Sequence, residues 1–170
     1  MIDFQKDKEG EDEFSLEFLS LGFTDEAYEI AMYHKIQREI ANAPHTQWGK
    51  DLHALIISDR CGGRALGLCE YLITRTDLSV RIRSNAKSIR EAVKSHTPDI
   101  VIFVGYQESK ENYDILKAQW GQRPYLAVMY ASVDFVIQTE CERYGIPLMY
   151  HSMNPVTGFV GVLRDNLSAV

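Results

Sequence analysis

The sequence predicts an open α/β fold: a five-stranded parallel sheet with helices on both faces, preceded by a helical hairpin. Three observations predict it. From residue 52 onward, five short apolar runs alternate with five segments of helical pattern. Alternation at this pitch calls for parallel strands, because each helical crossover returns the chain to the same end of the sheet. Two of the runs, PDIVIFVG and RPYLAVMYAS, are apolar almost throughout, as strands buried on both faces are. At 170 residues the chain is long enough for one cored domain plus an appendage.

The elements follow in order. Residues 1–13 are charged and are expected to form a mobile acidic tail. Residues 14–43 read as a helical hairpin. FSLEFLSLGF supplies Phe14, Phe18 and Leu21 to a short first helix, and Gly22 suits its left-handed C-terminal stop. Thr24 can cap the second helix, which should stop before Pro44. Its apolar residues Ile30, Tyr33, Ile36 and Ile40 recur at spacings of three and four, giving one face. That face must pack on the main domain, on a second copy, or on a partner. Residues 44–51 read as a linker, and 52–170 as the main domain.

Within the main domain, Ala54–Ile57 is the first strand and Arg64–Arg75 the helix after it. LSVRIRS, Leu78 to Ser84, alternates as a half-buried strand does. Its Arg81 and Arg83 blunt an edge. Helix Asn85–His96 leads to strand Pro98–Gly105, and helix Lys110–Gly121 to strand Arg123–Ser132. Asp99 belongs to the helix-to-strand turn, at the end of the strand away from any site. Helix Asp134–Gly145 stops at its glycine, strand Ile146–Ser152 follows, and helix Asn154–Ala169 closes the chain with Pro155 in its first turn. Right-handed crossovers favour the flavodoxin-like strand order 2-1-3-4-5, with function gathered at the C-terminal strand ends.

Composition narrows the function classes. The net charge is −6, and its acidic excess lies in the first fifty residues. Neither those fifty residues nor the rest of the chain has the Lys and Arg excess that neutralises phosphates, so this chain alone is not expected to bind nucleic acid. No apolar run reaches the ~18 residues of a membrane span, and the start has no signal-peptide pattern. Cys61, Cys69 and Cys141 lack zinc spacing and read as free thiols in a cytoplasmic protein. No metal or cofactor is expected.

The ordered segments ALIISD, IREAVKSHTPDIVIFV, YLAVMYAS and NPVTGFVGVLRDNL resemble a response-regulator receiver domain over roughly Leu52 to Leu167. The resemblance implies an acidic pair that holds Mg²⁺, an Asp acceptor ending strand 3, a Thr or Ser ending strand 4 and a Lys ending strand 5. A carboxylate is the nucleophile, hard oxygens hold the metal, and a cation offsets phosphoryl charge. On this sequence those positions fall on Ser58 and Asp59, Val104, Tyr130 and Asn154, with Ser132 two residues beyond the tyrosine. No Asp occurs from Ile100 to Tyr113, and no Lys follows Lys117. The chain therefore resembles a degenerate receiver, a pseudo-receiver without acceptor or lysine. His151 falls at the family's aromatic switch position. It reads as a strand-end histidine, and a pH-sensing role has no second feature behind it.

A rival reading concerns the loop SDRCGGRALG. A glycine-rich strand-to-helix turn can cradle an anion or nucleotide headgroup, here with Arg60, Cys61, Gly62, Gly63 and Arg64. Cys61 at such a turn is similar to phosphocysteine transport domains and low-molecular-weight phosphatases, but the phosphatase arginine position holds Gly67. Dinucleotide and P-loop patterns are absent.

The expected function is a non-enzymatic, phosphorylation-independent regulatory module acting by protein–protein contact. It would be a stand-alone adaptor or the regulatory part of a transcriptional or two-component-type regulator. The contact surfaces expected are the face from Asp134 to Asn166 and the hairpin, through a homodimer or a protein partner not named by the sequence. The alternative is a small-ligand sensor at the strand ends. An enzyme ranks last, because no nucleophile–base pair converges there.

Overall fold

In the computed structural model the described residues are 25–58, 62–84, 87, 91, 97–104, 126–131, 135–151 and 153–167. Helix α1 spans Asp25–Ala41, strand β1 His53–Ile57, helix α2 Gly63–Arg75 and strand β2 Ser79–Arg83. Strand β3 is Ile100–Val104, β4 Leu126–Ala131, helix α3 Phe135–Tyr144 and β5 Leu148–Tyr150. A 3₁₀ turn, Val156–Gly158, leads into helix α4, Phe159–Leu167. The expected tail, the first hairpin helix with Phe14, Phe18 and Leu21, and the helices expected over 85–96 and 110–121 lie outside the described residues, apart from Lys87 and Glu91.

The five strands form one parallel sheet in the order β2-β1-β3-β4-β5, as the sequence predicts. All five residues of β3 are buried, which fits its apolar run and its central place. Strand alternation divides the core. Ile56, Ile100, Ile102, Val104, Val128, Tyr130 and Met149 face the layer of α1, α2 and α4. Leu55, Ile57, Val101, Phe103, Met129 and Ala131 face Ile137 and Cys141 of α3. The strand starts are tied through Asp99. Its carboxylate accepts the His53 amide at 2.9 Å, its own amide donates to the His53 carbonyl at 2.8 Å, and its carbonyl accepts Leu126 N–H at 3.0 Å. The turn role expected of Asp99 is the one it has.

Helix α3 stops where the sequence predicts. Gly145 takes φ +67°, Ile146 N–H reaches the Cys141 carbonyl at 2.9 Å, and Gly145 N–H reaches the Glu142 carbonyl at 3.3 Å. That pair satisfies carbonyls left open at a helix end, and the left-handed backbone costs least at glycine.

Helix α1 departs from one of its expected roles. Ile30, Tyr33, Ile36 and Ile40 are each at most 5% exposed. Tyr33, Ile36 and Ile40 join the core of the α2 side of the sheet. The contact surface expected at these positions is thus taken up by the chain's own domain. Close approach to α2 explains it. A Cβ on Gly63 would collide with the Glu29 carbonyl oxygen, and one on Gly67 would come within 2.7 Å of Ile36. Two glycines four apart on one helix face admit the α1 backbone where larger side chains would hold it off.

Residues 44–51 are also more than a tether. Thr46 N–H donates to the Arg75 carbonyl at 2.8 Å, and Asp77 N–H to the Trp48 carbonyl at 2.9 Å. His45 Nε2 lies 3.0 Å from the Asp77 carboxylate. Gly49 takes φ +93° beside Leu78. The segment is bonded along the α2–β2 connection, so α1 continues into the sheet without a free joint.

Candidate functional site

The C-terminal ends of β1, β3, β4 and β5 bring four of the expected positions to one end of the sheet: Ser58, Val104, Tyr130 and Asn154. Val104 and Tyr130 are register partners on adjacent strands. Each is built into the fold in a way that bears on chemistry. Ser58 is buried and continues the ladder past β1, its amide donating to the Arg83 carbonyl at 3.1 Å. Val104 presents only carbon at the end of β3. Asn154 turns back on its own turn, its amide nitrogen donating to the Tyr150 carbonyl at 3.1 Å. Asp59 and Ser132 lie outside the described residues.

Tyr130 belongs to the core on the side of the sheet that α1, α2 and α4 cover. Its side chain is 3% exposed. The ring stands edge-on to His151, centroids 4.3 Å apart, and edge-on to Phe159 at 4.9 Å. Such T-shaped pairs match the positive edge of one ring to the negative face of another. Burial pushes the Tyr130 phenol above its ordinary pKa; Arg64 lowers it and Glu39 raises it. The neutral phenol is therefore the form this site favours. His151 is the neighbour at the expected switch position, and both its ring nitrogens are buried without a hydrogen-bond partner among the described residues. Tyr130, His151 and Phe159 make an aromatic plug over β4 and β5. It can exclude water, but it offers no carboxylate nucleophile and no cation.

The described part of the glycine-rich loop is committed to packing. Gly63 lies under Glu29 of α1. The Glu29 carboxylate sits 2.7 Å from where a Cβ on Gly62 would be, so an acid already stands beside the α2 N-terminus. Arg64 is turned to α1: it donates to the Tyr28 hydroxyl, approaches Met32 Sδ at 3.3 Å and lies 5.3 Å over the Tyr28 ring. Of the residues expected to cradle an anion, Gly62, Gly63 and Arg64 take part in the contact between α1 and α2. Arg60 and Cys61 lie outside the described residues.

Sequence reasoning missed the part α1 plays at this end. Glu39 reaches across to the β5–α4 connection and accepts Val156 N–H at 3.4 Å. Tyr71 of α2 donates to the Thr157 carbonyl at 3.1 Å. A carboxylate at the start of a 3₁₀ turn satisfies an amide that the turn itself cannot. No local pattern marks this pair, because 117 residues separate its partners.

A second concavity, of about 520 Å³, lies along the free edge of β5. Gln138, Cys141 and Glu142 of α3 form one wall, Leu148 and Tyr150 the floor, and Asn166 of α4 the other wall. It falls within the face expected from Asp134 to Asn166. Among the described residues, no group of three or more His, Cys, Asp or Glu is placed to hold a metal ion. Nor is any helix among them long and apolar enough to cross a membrane.

No family model and no curated protein sequence matches the chain. Solved structures do. The crystal structure of a response regulator receiver protein from Burkholderia phymatum matches 69% of this chain and 95% of its own, with TM-score 0.56 and 12% identity. A chain in the crystal structure of the P1 domain of CheA3 in complex with CheY6 from R. sphaeroides matches at TM-score 0.53 and 13% identity. That match covers 72% of this chain and 100% of that one. The chain has a receiver-like fold, as the sequence resemblance implies.

Proposed function

We propose that the chain is a regulatory module of receiver type that works without phosphorylation, through protein contact. The observation that carries this reading is the aromatic plug. At the strand ends Tyr130 is the register partner of Val104 and packs edge-on against His151 and Phe159. A phosphoryl group needs a nucleophile and compensating positive charge in that place. An apolar valine and a buried neutral phenol supply neither. The pseudo-receiver reading also explains why the core is kept, since every buried strand position still serves packing while the strand-end chemistry has gone.

With its crevice filled, the module acts through its outer surfaces. The face of α3, β5 and α4 is the contact surface we assign, because it combines a free strand edge with a groove. A homodimer through this face fits the receiver-like fold. That one of the structures of similar fold is a receiver-type complex, CheA3 P1 with CheY6, supports a protein partner. Incubation with acetyl phosphate, or with beryllofluoride, and Mg²⁺ tests the reading. Intact mass should show no phosphoryl adduct, and amide spectra should not move. An adduct of one phosphoryl group would sink it.

A further inference from the structure

Strand β5 is an edge of the sheet. In a parallel ladder the backbone groups of successive residues turn to opposite sides. Pro147 and His151 turn theirs to β4: the Pro147 carbonyl accepts Met129 N–H at 2.9 Å, and His151 N–H donates to the Ala131 carbonyl at 3.0 Å. Leu148 and Tyr150 therefore turn theirs outward. The Tyr150 carbonyl is taken by the N–H groups of Met153 and Asn154, at 3.2 and 3.0 Å. Leu148 N–H, the Leu148 carbonyl and Tyr150 N–H are left with no partner among the described residues. They lie at the floor of the groove of about 520 Å³, between Gln138 and Glu142 of α3 on one face of the sheet and Asn166 of α4 on the other. The opposite edge, β2, carries Arg81 and Arg83, and charge on an edge strand discourages pairing. Leu148, Met149 and Tyr150 carry none. Nor does Pro147 block the outer side, because its nitrogen turns to β4 with its carbonyl.

We propose that this slot takes an extended segment of a protein partner, which adds to the five-stranded sheet as a further strand beside β5. The inference rests on the contact face proposed above and names how a partner is held there. Main-chain groups pointing out of a strand edge are met by the main chain of another strand, and not by a helix, whose backbone is bonded within itself. β5 has only three residues, so pairing needs help from side chains, and the groove offers it. Ile146 and Leu148 pack against the cluster of Ile137 and Cys141 and give the α3 side an apolar wall. Alternate residues of the added strand set apolar side chains against that wall. On its rim stands the exposed Glu142 carboxylate, which suits a lysine or arginine of the partner. On the other face Asn166 donates its amide nitrogen to the Val162 carbonyl at 2.8 Å, which leaves its side-chain carbonyl to accept from a polar residue. The segment that fits is thus extended, alternately apolar and polar, and basic at one position. A second copy does not fit. Its β5 lies equally deep between its own α3 and α4, so helices meet before two such edges reach the ~4.8 Å of paired strands. Pairing over three residues also buries far less than the ~800 Å² per partner of a stable dimer. A homodimer on this face would rest on the helices and leave the slot free.

Peptide selection on the full chain tests this. Random peptides displayed on phage are selected against it, and the tightest binder is synthesised, both plain and N-methylated on alternate residues. An alternating apolar and polar sequence is expected, with slowed hydrogen exchange at the Leu148 and Tyr150 amides on binding. Methyl groups on the residues that bond to β5 should weaken binding about tenfold or more, and on the other set hardly at all. Leu148→Pro removes the outward N–H, leaves the β4–β5 bonds in place, and should weaken binding about tenfold with circular dichroism unchanged. The methylation comparison uses the native chain, so it decides the matter even where that variant does not fold. Slow exchange of both amides in the free chain would overturn the proposal. Were it to grow with protein concentration, a second copy would hold the edge; were it constant, the chain's own residues would. A helical binder, a binder indifferent to methylation, or no binder at all would overturn it too. A binder gripping only the side chains of α3 and α4 would leave the contact face standing, and the phosphorylation reading is decided separately, by adduct mass.

Discussion

Gly63 and Gly161 show how one residue type serves opposite purposes in this chain. A Cβ at Gly63 would strike the Glu29 carbonyl, which is backbone and cannot move aside without shifting α1. A Cβ at Gly161, inside α4, would meet nothing within 4 Å. Gly161→Ala should therefore stabilise the chain by about 0.5–1 kcal/mol, the helix-interior cost of glycine. Gly63→Ala should destabilise it by about 1–3 kcal/mol, as overpacking does. Urea midpoints for the two variants check both signs. Cys141 makes the residue-scale case for pH. Its buried thiol is pushed up to about 11, from an ordinary 9.0, by burial and then by Glu140. The fold thus favours the neutral thiol. The stability this supplies is fully present below pH 9 and is lost as pH rises through 11. Between pH 8.5 and 10.5 the native chain should lose more stability than Cys141→Ala does. Equal losses in denaturant titrations would remove the thiol from the account. None of these environments was legible in the sequence. Cys141 read as a free thiol and Gly63 as part of a loop, because burial and close approach are relations between distant segments.

Helix α1 is the element whose role changed most between sequence and structure. Its apolar stripe was legible, since Ile30, Tyr33, Ile36 and Ile40 keep helical spacing. What the stripe faces was not, because periodicity names a face and never its partner. The structure turns it onto α2. Tyr33 donates to the Glu70 carboxylate at 2.9 Å, and Arg75 Nε to the Ile40 carbonyl at 3.2 Å, so α1 runs alongside α2 through its length. An element built in this way should not melt alone. Ile36→Ala should cost about 2–5 kcal/mol, as buried isoleucine truncation does. It should move a single cooperative transition, followed by both circular dichroism and tryptophan fluorescence. A separate early phase confined to helix loss would show that α1 is an independent appendage. The glycine-rich turn before α2 has the same lesson. Glycines at a strand-to-helix turn suit an anion and a crossing helix equally well, and the crossing helix shows only in the contacts of Glu29 and Arg64.

At the scale of the whole molecule, the sheet was the most legible feature. Five alternating strand and helix signals, with right-handed crossovers, leave few arrangements, and the order 2-1-3-4-5 is the one observed. The residue types missing from the positions that the receiver resemblance implies were also readable from the chain itself. No Asp stands from Ile100 to Tyr113 and no Lys follows Lys117, and no folding can supply residue types that are absent. Which residues meet at the ends of β4 and β5 was decided only in three dimensions. Tyr130, His151 and Phe159 come from β4, the end of β5 and α4, and they meet because the sheet register sets their strands side by side. The sequence alone thus determined the architecture, since it follows from residue type and local period. Tertiary structure alone decided that Tyr130, His151 and Phe159 pack together and that α1 belongs to the core, since contact between distant residues exists only once the chain has folded.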